Sequence, residues 1–348
     1  MDLRNQRVLV TGANGFIGGR LAERLAQGEG AIVRGLVRKP VGATLGGRPA
    51  EGNHTGLPLQ LVNGDMTDAD AMHRAVEGCD VIIHCAAKQF PPGTCAQYFS
   101  ENVGGFENLA RAALENHVER FVHLSTINVH GYPSPPGCNA DSPLRESGDF
   151  YSDSKVATER MAWQYHREKN LPLVIVRPGC TYGPRSGAWT LTPIQRLRAG
   201  KRVLIGDGSG ACNTAYIDNL VDLILLATKN EAALGQAFIG TDGVGVTWRE
   251  FYGAYARMMG VTRMNSVSLW AARMIAIASE AVAHVTGGRP FVARQSIEFY
   301  SHRVVYDISK AKKLLGYEPR VSFAEGMART RQWLAESGQL AESSRQGK

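Results

Sequence analysis

The 348-residue chain reads as an α/β protein, a doubly wound parallel sheet followed by a smaller mixed α/β lobe. Three observations predict it. An apolar strand, Val8-Leu9-Val10, runs through a glycine-rich turn into the helical spacing of Arg20 to Leu25. Short apolar runs then alternate with helical patterns through the first half, which implies parallel strands, right-handed crossovers and helices on both faces. The length exceeds one ordinary domain, so a second lobe is expected. The expected division is 1–185 for the sheet domain, with a returning segment near 213–242, and 186–348 for the lobe.

In chain order, strands are expected at 7–10, 31–37, 59–62, 81–85, 120–125 and 173–177. Helices are expected at 15–26, 68–76, 103–116 and 153–170. Residues 39–58 are polar and rich in Gly and Pro, and read as a surface excursion between strands two and three. After Pro184 the pattern loosens. Strands at 203–205 and 237–240, a turn at 206–210, and helices at 218–227, 248–259, 269–283, 308–315 and 323–334 make up a lobe that closes over a substrate. The helix at 269–283 is strongly apolar but carries Arg273 and Glu280, so it is not a spanning helix. Three places remain open for it: over an apolar pocket, on a membrane surface through 267–285, or buried within the lobe.

Apolar residues make up 44% of the chain, and the formal charge is +7. Arg and Lys are scattered rather than gathered in a stripe, which argues against nucleic acid and fits a solvated basic surface or an anionic small molecule. The six cysteines show no metal-ligand spacing and several lie in apolar runs, so free thiols in a reducing compartment and no bound metal are expected. No apolar signal precedes the first strand, and a cytoplasmic location is expected.

The turn itself, Thr11-Gly12-Ala13-Asn14-Gly15-Phe16-Ile17-Gly18, has the order that makes a diphosphate site. Gly12 permits a tight turn, Gly15 a close backbone approach, and Gly18 close helix–strand packing. The helix start adds unpaired N–H groups and a positive dipole end. Further on, Tyr151 and Lys155 are four apart and share one helix face. A phenol titrates near pH 10, and a neighbouring ammonium together with the positive ring of a bound nucleotide cofactor is expected to favour the phenolate and make it a usable base.

The Gly-x-x-Gly-x-x-Gly spacing and Tyr151-x-x-x-Lys155 together resemble the extended branch of the short-chain dehydrogenase/reductase superfamily, whose fold is Rossmann-like. The resemblance implies a dinucleotide cofactor and a catalytic set of Thr126, Tyr151 and Lys155. Thr126 stands five residues before Gly131, where that family places its catalytic hydroxyl; Ser125 is the alternative. Gly64-Asp65-Met66 resembles the step in which Asp65 contacts the adenine. Ala86, Ala87 and Lys88 resemble the strand end beneath the pyrophosphate and ribose. Asn102-Val103-Gly104-Gly105 resembles a helix start that braces the central strands. The stretch beginning Arg177-Pro178 resembles the one facing the nicotinamide carboxamide. The implied cofactor-binding set is therefore Gly12, Asn14, Gly15, Phe16, Ile17, Gly18, Arg38, Asp65, Met66, Ala86, Ala87, Lys88, Asn102 and Pro178, with Tyr151 and Lys155 shared.

Strand two ends Val37-Arg38-Lys39, with no acid for a ribose 2′-hydroxyl. Arg38 then suits the 2′-phosphate of NADP over NAD, although it could equally cover the adenine of NAD. The stretches from Phe238 and Val246, and from Val304 to Pro319, resemble the 3β-hydroxysteroid dehydrogenase branch, which implies interconversion of an alcohol and a ketone on an apolar substrate. A nucleotide-sugar 4-epimerase using the same Tyr and Lys stays open. Sugar dehydration is disfavoured, because Ile127 and Asn128 stand where dehydratases carry Asp-Glu. A non-catalytic dinucleotide sensor is the remaining reading. Family relatives imply a homodimer, and residues 89–95 and 133–150 are expected to shape the substrate pocket.

Overall fold

A computed structural model describes residues 1–38, 59–89, 93–286, 288 and 290–340. The excursion expected at 39–58, Lys39 at the strand-two tip, and 90–92 of the pocket loop lie outside the described residues.

The chain begins β1 (Arg7–Thr11), α1 (Phe16–Gly28), β2 (Ile32–Val37), β3 (Leu59–Asn63), α2 (Ala69–Val76) and β4 (Val81–His84). It continues with α3 (Cys95–Phe99), a wide turn at Ser100–Gly104, α4 (Gly105–Glu115), β5 (Arg120–Leu124), α5 (Phe150–Lys169) and β6 (Leu173–Pro178). After β6 come β7 (Cys180–Tyr182), α6 (Thr192–Arg198), β8 (Val203–Ile205), β9 (Thr214–Tyr216), α7 (Ile217–Lys229), β10 (Gln236–Gly240) and α8 (Trp248–Met258), of which α7 and β10 return to the sheet domain. The last are β11 (Asn265–Val267), α9 (Leu269–Thr286), α10 (Arg294–Ser301), α11 (Ser309–Leu315) and α12 (Phe323–Glu336).

Among the described residues, seven strands form one parallel sheet in the order β3-β2-β1-β4-β5-β6-β10. Strand order reverses between β1 and β4, and in such sheets ligands bind outside the carboxyl ends at that point. Alternation along each strand builds two cores. Val8 and Val10 face one side with Leu21 of α1 and Leu220 of α7. Leu9 faces the other, with Met72 of α2, Phe106 of α4 and Ala162 of α5. Apart from the edge strand β3, which is half exposed, the strands are buried on both faces, which is why they read as unbroken apolar runs.

The expected elements form with ends shifted by one to three residues, as capping dictates. Asp68 caps α2 by accepting from Ala71 N at 3.0 Å, and Asp149 starts α5 three residues earlier than expected by accepting from Ser152 N at 2.9 Å. α3, α6, α10 and the three-residue strands β7, β9 and β11 were not expected. α3 and the three strands are too short to show a period; α6 and α10 are as long as α11 and α2, which were expected.

Candidate active site

The turn after β1 is shaped for close approach. Gly12 has φ +67°, and a Cβ there would lie 3.1 Å from the Ala86 backbone. Gly15 N donates to Gly12 O at 2.8 Å, and a Cβ on Gly18 would collide with the Gly12 carbonyl. No side chain caps α1, and its first turn holds no acid. The helix start therefore keeps free donors and an unneutralised positive end for a phosphate. The strand end beside it is fixed by Thr11, whose Oγ1 accepts from Ala86 N at 3.0 Å and bonds His84 Nδ1 at 2.8 Å.

This turn forms one wall of a cavity of about 340 Å³. Gly12, Gly15, Phe16, Ile17, Gly18, Ala87 and Pro178 line it, and so do Thr126, Ser125, Tyr151 and Lys155. The remaining residues named from the sequence sit elsewhere. Asn14 is exposed. Asn102 is buried with its amide on the Lys88 backbone (2.6 and 3.2 Å) and Ser154 Oγ (2.9 Å), the bracing role its motif implies. Asp65 Oδ1 accepts from Thr67 N and Oγ1, and Met66 O accepts from Asn108 Nδ2. Arg38 and Lys88 converge on one acid, Glu101, at 2.6 and 2.8 Å. Opposed by partial burial, these two cations still hold the Glu101 carboxyl below its ordinary range.

The catalytic groups are set by burial. Tyr151 lies in the first turn of α5, and Lys155 is one turn on. Burial pushes the Tyr151 phenol up to about 12, Asp149 adds to the shift, and a hydrogen bond with Thr126 pulls it partly back. The expected lowering by Lys155 is not found, since Lys155 Nζ is directed at β5. It donates to Leu124 O at 2.7 Å and lies 3.3 Å from His123 Nε2. Burial also pushes Lys155 down to about 8, opposed by Glu159 and Cys85. His84 and His123 stack at 5.2 Å beneath it. Burial and then the Lys155 charge drive His84 down to about 3 and His123 well below its ordinary value. Both imidazoles are neutral.

Behind Lys155, Glu159 and Arg177 form an ion pair with side chains 0% and 3% exposed. Arg177 Nε donates to both carboxylate oxygens at 3.1 Å, Nη2 adds a further bond, and Nη1 donates to Ala140 O at 2.6 Å. Burial opposes the Glu159 charge, but the guanidinium outweighs it and keeps the carboxyl below its ordinary range.

The far wall holds residues that sequence reasoning missed, the turn Ser186–Trp189 and Phe299 from α10, while Cys85, beside the glycine turn, and Cys180, beyond Pro178, complete the lining. Of the expected pocket loops, Gln89 lines the cavity and residues 133–150 do not. That second segment instead ties down α5, through Ser147 N and Gly148 N donating to Asp153 at 2.7 and 3.0 Å.

A model of the NAD dependent epimerase/dehydratase family matches residues 8–239. A 2-alkyl-3-oxoalkanoate reductase of Stenotrophomonas maltophilia is 29% identical over 338 residues, covering 93% of this chain and 98% of its own. A 3beta-hydroxysteroid-dehydrogenase/decarboxylase of Arabidopsis thaliana is 26% identical over 345 residues, covering 92% and 78%. Among solved structures, a dTDP-glucose 4,6-dehydratase of Streptomyces venezuelae with NAD bound superposes with a TM-score of 0.74 at 26% identity, covering 96% and 98%.

Proposed function

Because the chain belongs to the NAD dependent epimerase/dehydratase family, the extended type of short-chain dehydrogenase/reductase, we propose that it interconverts a ketone and a secondary alcohol on an apolar, sterol-like or long-chain substrate. The observation that carries this reading is the apolar lining beside the catalytic groups, to which Ile127, Trp189 and Phe299 contribute. Among the described residues lining the cavity, Lys155 is the only charged side chain. A nucleotide sugar would bring a second diphosphate, which calls for cations or a further helix start. An acyl chain or fused ring needs neither. The similarity to a reductase of alkyl oxoalkanoates points the same way.

The cofactor, when bound, supplies or accepts the hydride. The chain's own groups handle the oxygen. With its phenol pushed up to about 12, Tyr151 is protonated at neutral pH and serves as the acid in the reductive direction, donating to the oxygen as it gains charge. Thr126 holds that oxygen against the phenol by donating a hydrogen bond. Lys155 carries its charge below about pH 8 and, lining the cavity, is placed to hold the ribose hydroxyls of the cofactor. We read NADP as the preferred cofactor, since Arg38 at the end of β2 suits a 2′-phosphate once it exchanges Glu101 for it.

The test is a panel of long-chain 3-oxo esters, sterol ketones and nucleotide sugars with reduced NADP or NAD, read by cofactor absorbance. Net oxidation by an apolar ketone supports the proposal. Inversion of a nucleotide sugar without net cofactor oxidation overturns it in favour of the epimerase.

A further inference from the structure

The large apolar side chains of α9 face outward. Its inward face is made of Ala272, Ala276 and Ala283, the only fully buried positions of the helix. Ala272 and Ala276 pack on Ile297 of α10. On the outer face, Trp270 is 74% exposed and Val285 85%, with Met274, Ile275, Ile277 and Val282 exposed between them. At about 100° per residue these six side chains cover an arc of about 160°. No charged residue falls within it: Arg273, Glu280 and His284 all lie to one side. Arg273 and Glu280 are paired with Glu298 and Arg294 at 2.8 and 2.6 Å, which fastens α9 to α10. In the loop between the two helices, Phe291 is 92% exposed. A water-soluble surface helix shows the reverse pattern.

The charge around this face says what covers it. Residues 257–298 contain five arginines and two acids, Glu280 and Glu298, each acid paired with one of the arginines. An outward apolar arc, a tryptophan at one end, and a net positive charge along the sequence stretch that carries it are the features of a helix lying in a membrane interface beside anionic headgroups. No described helix is long and apolar enough to cross a membrane, so the mode is contact and not spanning. The neighbouring α10 carries Phe299 into the cavity wall, which places this face next to the site.

We propose that the outer face of α9 docks on an anionic lipid surface. The proposal stands on the exposed face and its charge balance and does not need the substrate reading. It is tested by flotation of the full-length protein with vesicles of phosphatidylcholine and phosphatidylglycerol in equal parts, with pure phosphatidylcholine as the comparison. Wild type floats with the anionic vesicles and much less with the neutral ones. The double variant Met274→Glu/Val285→Glu loses about tenfold or more of the bound fraction, with an unchanged melting temperature because both positions are exposed. Absence of flotation, or flotation untouched by the double variant, overturns the proposal. So does a lipid-free oligomer that the double variant breaks into smaller species, which would assign the face to a second copy of the chain.

Discussion

Replacing Glu159 by Gln removes one charge from an interior pair and leaves the geometry nearly intact. Arg177, a guanidinium 3% exposed, would then keep an amide oxygen, Ala140 O at 2.6 Å and the neutral His130 at 3.3 Å, but no opposite charge. Breaking one side of a buried pair costs about 3–5 kcal/mol. At about 2 °C per kcal/mol for a large domain, Tm should fall by roughly 6–10 °C, read by circular dichroism at pH 7. The pH dependence carries a sign. The Glu159 carboxyl lies below its ordinary value of 4.5 in the folded state. Its contribution is therefore complete above that value and is lost as pH falls through the lowered folded value. Wild type should lose stability on acidification more steeply than the variant. Removing both charges, as Glu159→Met/Arg177→Met, should restore most of the loss. A fall under about 2 °C for Glu159→Gln, or a double variant worse than the single, would refute the reasoning.

Three other outcomes are expected. Gly18→Ala forces a Cβ against the Gly12 carbonyl and should weaken cofactor binding by about tenfold or more, measured by reduced-nicotinamide fluorescence; unchanged affinity would contradict the close-packing role. Glu101→Gln releases Arg38 and Lys88 from a partly exposed pair. It should raise affinity for NADP over NAD by about two- to fivefold, the worth of such a pair, and an unchanged ratio would remove Arg38 from phosphate recognition. Since Lys155 is charged below about pH 8 and neutral above, reductive kcat/KM should decline as pH rises through that value; a flat profile to pH 10 would count against a role for its charge.

The sheet was legible because it is buried on both faces: Val8-Leu9-Val10 or Ile82 and Ile83 stand out whatever their partners. α3 was also within reach, since Thr94 and Gln97 form a capping box of the kind a sequence displays, but five residues carry no period. The catalytic pair was readable from its spacing and the glycine turn from its order. The cavity's far wall was not, because Trp189 and Phe299 come from segments far apart in the chain and meet only through tertiary packing. The same holds for Arg38 and Glu101, 63 residues apart. The part of the Tyr151 shift expected from Lys155 fails for a physical reason. A lysine four residues away suggests a stabilised phenolate, but its ammonium is bound to Leu124 O, and burial then decides the outcome.

The central claim is that the Tyr151 phenol delivers the proton while the glycine turn holds the cofactor. Its most direct test is Tyr151→Phe, assayed for reduction of an apolar ketone alongside cofactor binding by fluorescence. Loss of a general acid should lower kcat by about 10²- to 10⁴-fold with cofactor affinity within about twofold of wild type. Turnover near the wild-type rate in that variant would contradict the account.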